Sequence, residues 1–195
     1  MFGSALSVGP LNGDAYADVA VGAPARSTND GGVYLYAANG DGSGLTSGAS
    51  PAATIPGQTS GEQFGSSVLI VDFDDDGTAG VVGSAPYANA GGPNRGRAYW
   101  FDSPLVDQSP DETMSGDQNN ELFGRVLAGG KFTNDARTIV AVGAHQWDKI
   151  SANANDNDGR VVVAQVPDSP VALAVVALLL PPLRRFFGRR RARVR

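Results

Sequence analysis

Residues 64–86, with the sequence FGSSVLIVDFDDDGTAGVVGSAP, contain the pattern that decides the fold of this chain. A Phe-Gly pair opens a short apolar run, an acidic loop follows, and a second apolar run ends in the small-residue turn Gly83-Ser84-Ala85-Pro86. Short apolar runs rich in β-branched residues and bounded by glycine and aspartate are typical of antiparallel strands. The segment therefore predicts two strands joined by a polar loop.

The same landmarks occur three times along the chain. Phe-Gly pairs stand 62 and 59 residues apart, beginning at Phe2, Phe64 and Phe123. Small-residue turns follow about twenty residues later and stand 61 and 60 residues apart, beginning at Gly22, Gly83 and Gly143. A glycine-led strand comes next, at residues 32–36, 96–101 and 159–164. A constant period of this kind marks a repeated structural unit.

Each unit has the size of one β-propeller blade, which is a sheet of four antiparallel strands. A weaker fourth strand is predicted at residues 53–55 and again at 113–114, whereas the third unit lacks a recognisable one. We expect an all-β fold, a partial β-propeller of about three four-stranded antiparallel blades. Their expected bounds are about 1–60, 61–120 and 121–164.

The order of the motifs carries a family resemblance. Phe-Gly, an Asp/Asn-rich loop, Gly-Ala-Pro at residues 22–24 and Gly-Gly-Val-Tyr at residues 31–34 resemble the FG-GAP repeat of integrin α-subunit propellers and many microbial surface proteins. The resemblance covers about residues 1–164. Closed propellers have about four to eight blades, so three blades would be part of a ring. We interpret the chain as the C-terminal part of a longer propeller; self-association of several copies is the alternative.

The acidic loop of the second unit is a candidate metal site. Carboxylates at alternate positions can turn inward together, and oxygen ligands of this kind suit calcium. The family resemblance implies Ca²⁺ bound by Asp72, Asp74, Asp76 and the backbone carbonyl of Thr78. Gly80 stands where the family has a further aspartate. The alternative is a loop that spreads its carboxylates into water.

The other polar loops are weaker candidates. The resemblance places Asn12, Asp14 and Asp18 at three ligand positions of the first unit, where a degraded site held by turn chemistry is the alternative. The third loop, residues 131–135, has one lysine and one aspartate, and we expect it to bind no metal. The Asn/Asp-rich sequence that ends in Gly159, residues 155–159, predicts a surface hairpin turn.

Residue types needed for catalysis are scarce. The chain has no cysteine and one histidine, which excludes thiolate chemistry and leaves little material for a Ser-His-Asp triad. We interpret His145 as an exposed turn residue, not as a general base. Trp100 and Trp147 could stack on a sugar, but core or rim positions are the preferred interpretation. We predict that the chain is not an enzyme.

The charges are distributed unevenly. Seven of the 15 basic residues lie in the last twelve positions, so residues 1–183 contain 8 basic and 20 acidic residues, a net charge of −12. An acidic body of this kind argues against nucleic-acid binding, which needs a positive face.

The C-terminus combines an apolar stretch with arginines. After a linker at 165–170, we expect a short hydrophobic helix or tail at 171–195, with Pro181-Pro182 ahead of the arginine cluster. The order resembles bacterial sorting signals of the PEP-CTERM kind, which implies membrane or surface targeting. No signal peptide stands at the N-terminus, and we attribute its absence to a missing upstream part of the chain. A cytoplasmic chain is the alternative to the missing upstream part. For the C-terminal tail, the alternative is a frayed or mistranslated end.

Together these features predict a calcium-supported, surface-displayed binding or adhesion module, located outside the cell or at its surface. Its partners would be a protein or carbohydrate ligand, the membrane through the tail, and further blades or other copies. The alternative is a non-catalytic or accessory fragment of a secreted hydrolase or lyase. A third hypothesis is a reading frame that does not function alone.

Overall fold

The structure is a computed structural model that describes residues 1–73, 76–131, 138–148, 157–165 and 174–179. Every regular secondary-structure element within these ranges is a β-strand, and the strands form three four-stranded antiparallel sheets. In each sheet the strand order follows the chain, so that every strand is hydrogen-bonded to the next one in sequence. This confirms the predicted all-β fold of three blades.

The twelve strands are distributed equally among the blades. Blade 1 contains β1 (Ala5–Gly9), β2 (Asp18–Gly22), β3 (Gly32–Tyr36) and β4 (Ala53–Pro56). Blade 2 contains β5 (Val68–Val71), β6 (Gly80–Ala85), β7 (Arg97–Phe101) and β8 (Glu112–Ser115). Blade 3 contains β9 (Val126–Gly130), β10 (Ile139–Ala144), β11 (Arg160–Gln165) and β12 (Ala174–Leu179). One meander per repeat accounts for the period seen in the sequence.

Blade 3 corrects the expected C-terminal organisation. The sequence predicts that the third unit ends at 164 and lacks a fourth strand. In the structure a fourth strand, β12, pairs antiparallel with β11, with a bulge between Val163 and Ala164. The free edge of β11 presents unpaired backbone groups that favour an added strand, and the segment contains Val175 and Val176, whose β-branched side chains suit strands. The remaining tail, residues 166–173 and 180–195, lies outside the described residues.

The hydrophobic core is divided between the two blade interfaces. Side chains alternate between the two faces of a sheet, so each blade contacts the preceding blade with one face and the following blade with the other. Between blades 1 and 2, Leu35 and Ile55 pack with Phe64, Tyr99 and Phe101. A second cluster between blades 2 and 3 contains Val82, Trp100, Phe123, Val140 and Trp147.

The Phe-Gly pairs connect neighbouring blades through the backbone. Phe64 N–H donates to the carbonyl of Asp30 at 3.0 Å, and Gly32 N–H donates to the carbonyl of Phe64 at 2.9 Å. Gly31 and Phe64 thereby form a parallel bridge, and Gly96 and Phe123 form the equivalent bridge between blades 2 and 3. The repeated motif is therefore the joint at which one blade is fixed to the next.

Candidate functional site

The candidate metal loops connect the first two strands of each blade. In blades 1 and 2 these loops, residues 10–17 and 72–79, lie side by side. Ala79 N–H donates to the carbonyl of Pro10 at 2.9 Å, and a Cβ added to Gly13 would lie 3.3 Å from Thr78 Oγ1. The structure thus brings the first and second predicted sites together at one end of the blades.

The acidic loop of blade 2 is closed by its own carboxylates. Gly77 N–H donates to Asp72 Oδ2 at 3.0 Å, and Thr78 N–H donates to Asp76 Oδ1 at 2.7 Å. Phe73 is buried in the cluster between blades 2 and 3. The aromatic ring anchors the loop to the core, while Asp76 and Thr78 remain exposed.

Three of the four ligands predicted for this loop are described, and Asp74 lies outside the described residues. Within the ranges that the structure covers, no group of three or more His, Asp or Glu side chains is placed to hold a metal ion. The chemistry of the donors, two carboxylates and a backbone carbonyl, nevertheless suits a hard cation such as Ca²⁺. Metal binding at Asp72, Asp76 and Thr78 therefore stays a prediction.

In the loop of blade 1, Asn12 and Asp14 hold each other. Asn12 Nδ2 donates to Asp14 Oδ2 at 2.8 Å, and Asp14 N–H donates to Asn12 Oδ1 at 3.1 Å. Tyr16 N–H donates to Asp14 Oδ1 at 2.7 Å. These local side-chain-to-backbone bonds are the turn chemistry of Asn and Asp.

Asp18 has a different environment from the other predicted ligands of blade 1. Its carboxylate is fully buried, and its two oxygens accept backbone N–H groups from Leu11 at 2.7 Å and Ala38 at 2.8 Å. A buried carboxylate is stabilised when hydrogen bonds satisfy it. The side chain therefore ties the loop to the segment that follows β3.

The weaker candidates are only partly covered. Lys131 is exposed, and residues 132–137 of the third loop lie outside the described residues. Of the turn predicted at 155–159, residues 157–159 are described: Asn157 N–H donates to Asp148 Oδ1 at 2.6 Å, and Gly159 N–H donates to the carbonyl of Trp147 at 2.8 Å.

The residues considered for catalysis or sugar stacking occupy structural positions. His145 is exposed in the turn after β10. Trp100 and Trp147 are buried in the interface between blades 2 and 3, and the Arg160 guanidinium lies 5.5 Å from the centre of the Trp147 ring. The described structure thus places both tryptophans in the core, as preferred from the sequence.

Two buried glutamates that the sequence did not single out join the blades. Glu62, in the connection from blade 1 to blade 2, is fully buried. Its carboxylate accepts hydrogen bonds from the Gln58 N–H, from Thr59 Oγ1 at 2.8 Å and from the Tyr99 hydroxyl at 2.7 Å.

Glu121 has the equivalent place between blades 2 and 3. It accepts the Gln118 N–H at 2.9 Å and forms an ion pair with Arg160 at 2.8 Å. Burial raises the pKa of Glu121 above its usual value, and the Gln118 N–H and Arg160 act in the opposite direction. Both glutamates stand two residues before a Phe-Gly pair, which is the signal that could have revealed them.

Repeated four-stranded blades, joined through a Phe-Gly bridge and packed face to face, define a partial β-propeller of a repeat protein. Residues 2–36 match the family model described as FG-GAP repeat, a range that includes β1, β2 and β3. The chain therefore carries the FG-GAP repeat, and blades 2 and 3 repeat the same strand arrangement.

Curated relatives match most of this chain. It is 33% identical over 169 residues to phosphatidylinositol-glycan-specific phospholipase D of Rattus norvegicus, covering 80% of this chain and 19% of the relative. The corresponding protein of Mus musculus is 32% identical over 168 residues, covering 80% and 20%. That of Bos taurus is 29% identical over 166 residues, covering 79% and 19%. The chain thus spans about a fifth of the length of these relatives.

Proposed function

We propose that this chain is a non-catalytic binding module, a propeller segment that acts at the cell surface or outside the cell, with loops at one blade end supported by Ca²⁺. The proximity of the two candidate metal loops, held together by the bond from Ala79 N–H to the Pro10 carbonyl, supports it. Its ligand would be a protein or carbohydrate. Two adjacent loops with carboxylates form a surface on which a cation can order the backbone for such a ligand.

Calcium would relieve the crowding of negative charge in the second loop. Asp72 and Asp76 are turned towards backbone N–H groups of the same short loop, and Asp74 and Asp75 lie between them in sequence. Like charges held close together repel, and a divalent cation removes that repulsion. In this proposal Asp72, Asp74 and Asp76 supply carboxylate oxygens and Thr78 supplies its carbonyl.

The test is a thermal melt of the full chain with millimolar Ca²⁺ and with a chelator. A site that binds only the folded state raises the melting temperature by about 5 °C or more at a hundredfold excess over its dissociation constant. Asp76→Asn should abolish the rise. Asp107→Asn is the matched control, because Asp107 also accepts an N–H from the residue two positions on, Ser109, but in another loop.

The outcomes of the melt distinguish calcium binding at the second loop from binding elsewhere and from no binding. A rise that both variants retain would move the calcium site away from the second loop. A cooperative melt that does not respond to Ca²⁺ would leave the blades intact and overturn the metal proposal.

The second candidate function is a non-catalytic accessory segment of a hydrolase. The relatives named as phospholipase D favour it. In this case the chain alone would leave a phosphatidylinositol-glycan-anchored substrate uncleaved but would bind vesicles that display it. Cleavage of the substrate by the chain alone would contradict both candidate functions.

Membrane association through the C-terminus is part of the surface proposal. In this proposal the arginines at 184–195, which lie outside the described residues, contact a bilayer. Clustered arginines bind anionic lipid headgroups by electrostatic attraction. Flotation with anionic vesicles should recover the wild-type chain, and replacement of Arg189, Arg190 and Arg191 by Gln should reduce recovery. Equal recovery of both proteins would contradict this role.

A further inference from the structure

One face of blade 1 is apolar and exposed. Leu6 is 65% exposed and Val8 is 63% exposed on β1, and Phe2 is 60% exposed beside them. The Phe2 ring packs edge-on against Tyr34, with ring centres 5.3 Å apart, and lies 6.4 Å from Tyr36. An apolar patch of this kind on a described surface marks an interaction site.

The equivalent face of blade 2 shows what covers such a surface. Val68 and Ile70, which correspond to Leu6 and Val8, are buried against blade 1. Phe64 packs edge-on against Tyr99 at 5.5 Å, as Phe2 does against Tyr34. Blade 2 therefore docks with Phe64, Val68 and Ile70, which correspond to Phe2, Leu6 and Val8. They pack against the face of blade 1 that is opposite to the exposed one.

In blade 1 that opposite face is built from small residues on the first strand, Ala5, Ser7 and Gly9 of β1. Ile70 N–H donates to Ser7 Oγ at 2.9 Å, and a Cβ added to Gly9 would lie 2.6 Å from Ile70 Cγ2. The small side chains let the next blade approach closely.

In blade 3, the face that corresponds to the Ala5, Ser7 and Gly9 face of blade 1 is not covered by another blade in the described structure. Val126 occupies the place of Ala5 in the repeat and is 62% exposed, and Ala128 is exposed beside it. On the neighbouring strands, Ala141 and Val161 are half-buried. One chain thus carries both halves of an interface that it already forms twice internally.

We propose that a second copy of this chain docks head to tail, with the Phe2, Leu6 and Val8 face of one copy on the Val126 face of the other. Heterologous contacts of this kind give a closed ring when the rotation closes. Two copies would contribute six blades, a number within the range of known propellers. The dimer goes beyond the proposed binding function, which does not depend on it.

The packing between the repeated blades favours head-to-tail docking of a second copy over a head-to-head pair. Both internal interfaces join unlike faces of the blades. Val68 and Ile70 of blade 2 pack against Ser7 and Gly9 of blade 1, and the equivalent residues of blade 3, Leu127 and Gly129, lie against Ser67 and Leu69 of blade 2. A head-to-head dimer would place Leu6 and Val8 against copies of themselves and would leave Val126 in water.

The test measures the mass of the full chain by sedimentation equilibrium over a range of concentrations. The wild-type chain should be a dimer, and Leu6→Asp and Val126→Asp should each raise the dimer dissociation constant by about 30-fold or more, because each introduces a charge into a buried apolar contact. Val106→Asp is the matched control, since Val106 is 86% exposed in the loop between β7 and β8 and should leave the dimer unchanged.

Mixing the two monomeric variants gives the decisive result. The Leu6→Asp chain keeps an intact blade 3 face and the Val126→Asp chain keeps an intact blade 1 face, so the mixture should form a heterodimer through one interface. Recovery also shows that both variants are folded. A wild-type chain that stays monomeric would overturn the proposal in favour of a further blade covering the face. Dissociation by Leu6→Asp alone, without recovery on mixing, would overturn it in favour of a head-to-head pair.

Discussion

The Tyr99 hydroxyl donates a 2.7 Å hydrogen bond to Glu62 Oε2, and this contact joins β7 of blade 2 to the segment that enters the blade. Burial raises the pKa of Tyr99, and the hydrogen bond and negative charge of Glu62 raise it further. The hydroxyl therefore stays protonated over the ordinary pH range and remains a donor. Blade junctions in this chain thus depend on buried polar contacts as well as on apolar packing.

Tyr99→Phe removes one donor from the buried Glu62 carboxylate. Loss of a hydrogen bond to a buried charged group costs about 1–3 kcal/mol, so the free energy of unfolding should fall by that amount in urea titrations. Tyr16→Phe is the control, because Tyr16 is exposed and its change should be within about 0.5 kcal/mol. Equal losses in both variants would contradict the role of the Glu62 contact.

Glu121 makes stability depend on pH with a defined sign. Its pKa in the folded chain is raised above the ordinary 4.5 by burial, so the folded state binds the proton more tightly than the unfolded state. Stability contributed by this group is full below pH 4.5 and is lost as pH rises through the folded pKa. Relative to Glu121→Gln, the wild-type chain should therefore gain stability as pH falls from neutral towards 4.5.

The measurement is the difference in unfolding free energy between wild type and Glu121→Gln from neutral pH to below 3.8, the ordinary pKa of an aspartate. Asp107 supplies the opposite case, because hydrogen bonds from Ser109 lower its pKa. Relative to Asp107→Asn, the wild-type chain should lose stability as pH falls through the lowered pKa. A Glu121 difference curve with the Asp107 slope would refute the assignment.

The sequence predicts the blades well because their determinants are local and repeated. Phe64 and Phe123, the turns after them and the strands led by glycine recur with one period, and each landmark falls on a strand end or a blade junction in the structure. Alternation along β3 also places Val33 and Leu35 in the core, as the pattern of the strand indicates.

The rest depends on contacts between residues that are distant in sequence. Asp18 looks like a loop ligand, yet its partner Ala38 is 20 residues away. Glu62 reaches Tyr99 across 37 residues. The segment Ala174–Leu179 has the composition of a hydrophobic tail, and only the free edge of β11 makes it a strand. In each case contacts with residues outside the local segment decide the structure over its local propensity.

Glycine at position 96 is required by the blade junction. Gly96 has a φ of +80°, and a Cβ there would lie 2.2 Å from the Phe123 carbonyl oxygen. Gly96→Ala should therefore lower the free energy of unfolding by about 3 kcal/mol or more, through left-handed strain and a backbone clash. Gly48 is the matched control, since its φ is +77° with open space around it. Gly48→Ala should cost only about 1–2 kcal/mol, as denaturant unfolding of both variants can show.

Asp18 is expected to stabilise blade 1 with or without calcium. Both oxygens of its buried carboxylate accept backbone N–H groups, from Leu11 and Ala38, so Asp18→Asn places an amide donor against one of these donors. The lost bond and the unsatisfied N–H should lower the free energy of unfolding by about 2–4 kcal/mol, equally in Ca²⁺ and in chelator. Asp14→Asn is the control, because Asp14 contacts only its own exposed loop, and it should cost less than about 1 kcal/mol. An Asp18→Asn loss that appears only in Ca²⁺ would instead make Asp18 a metal ligand.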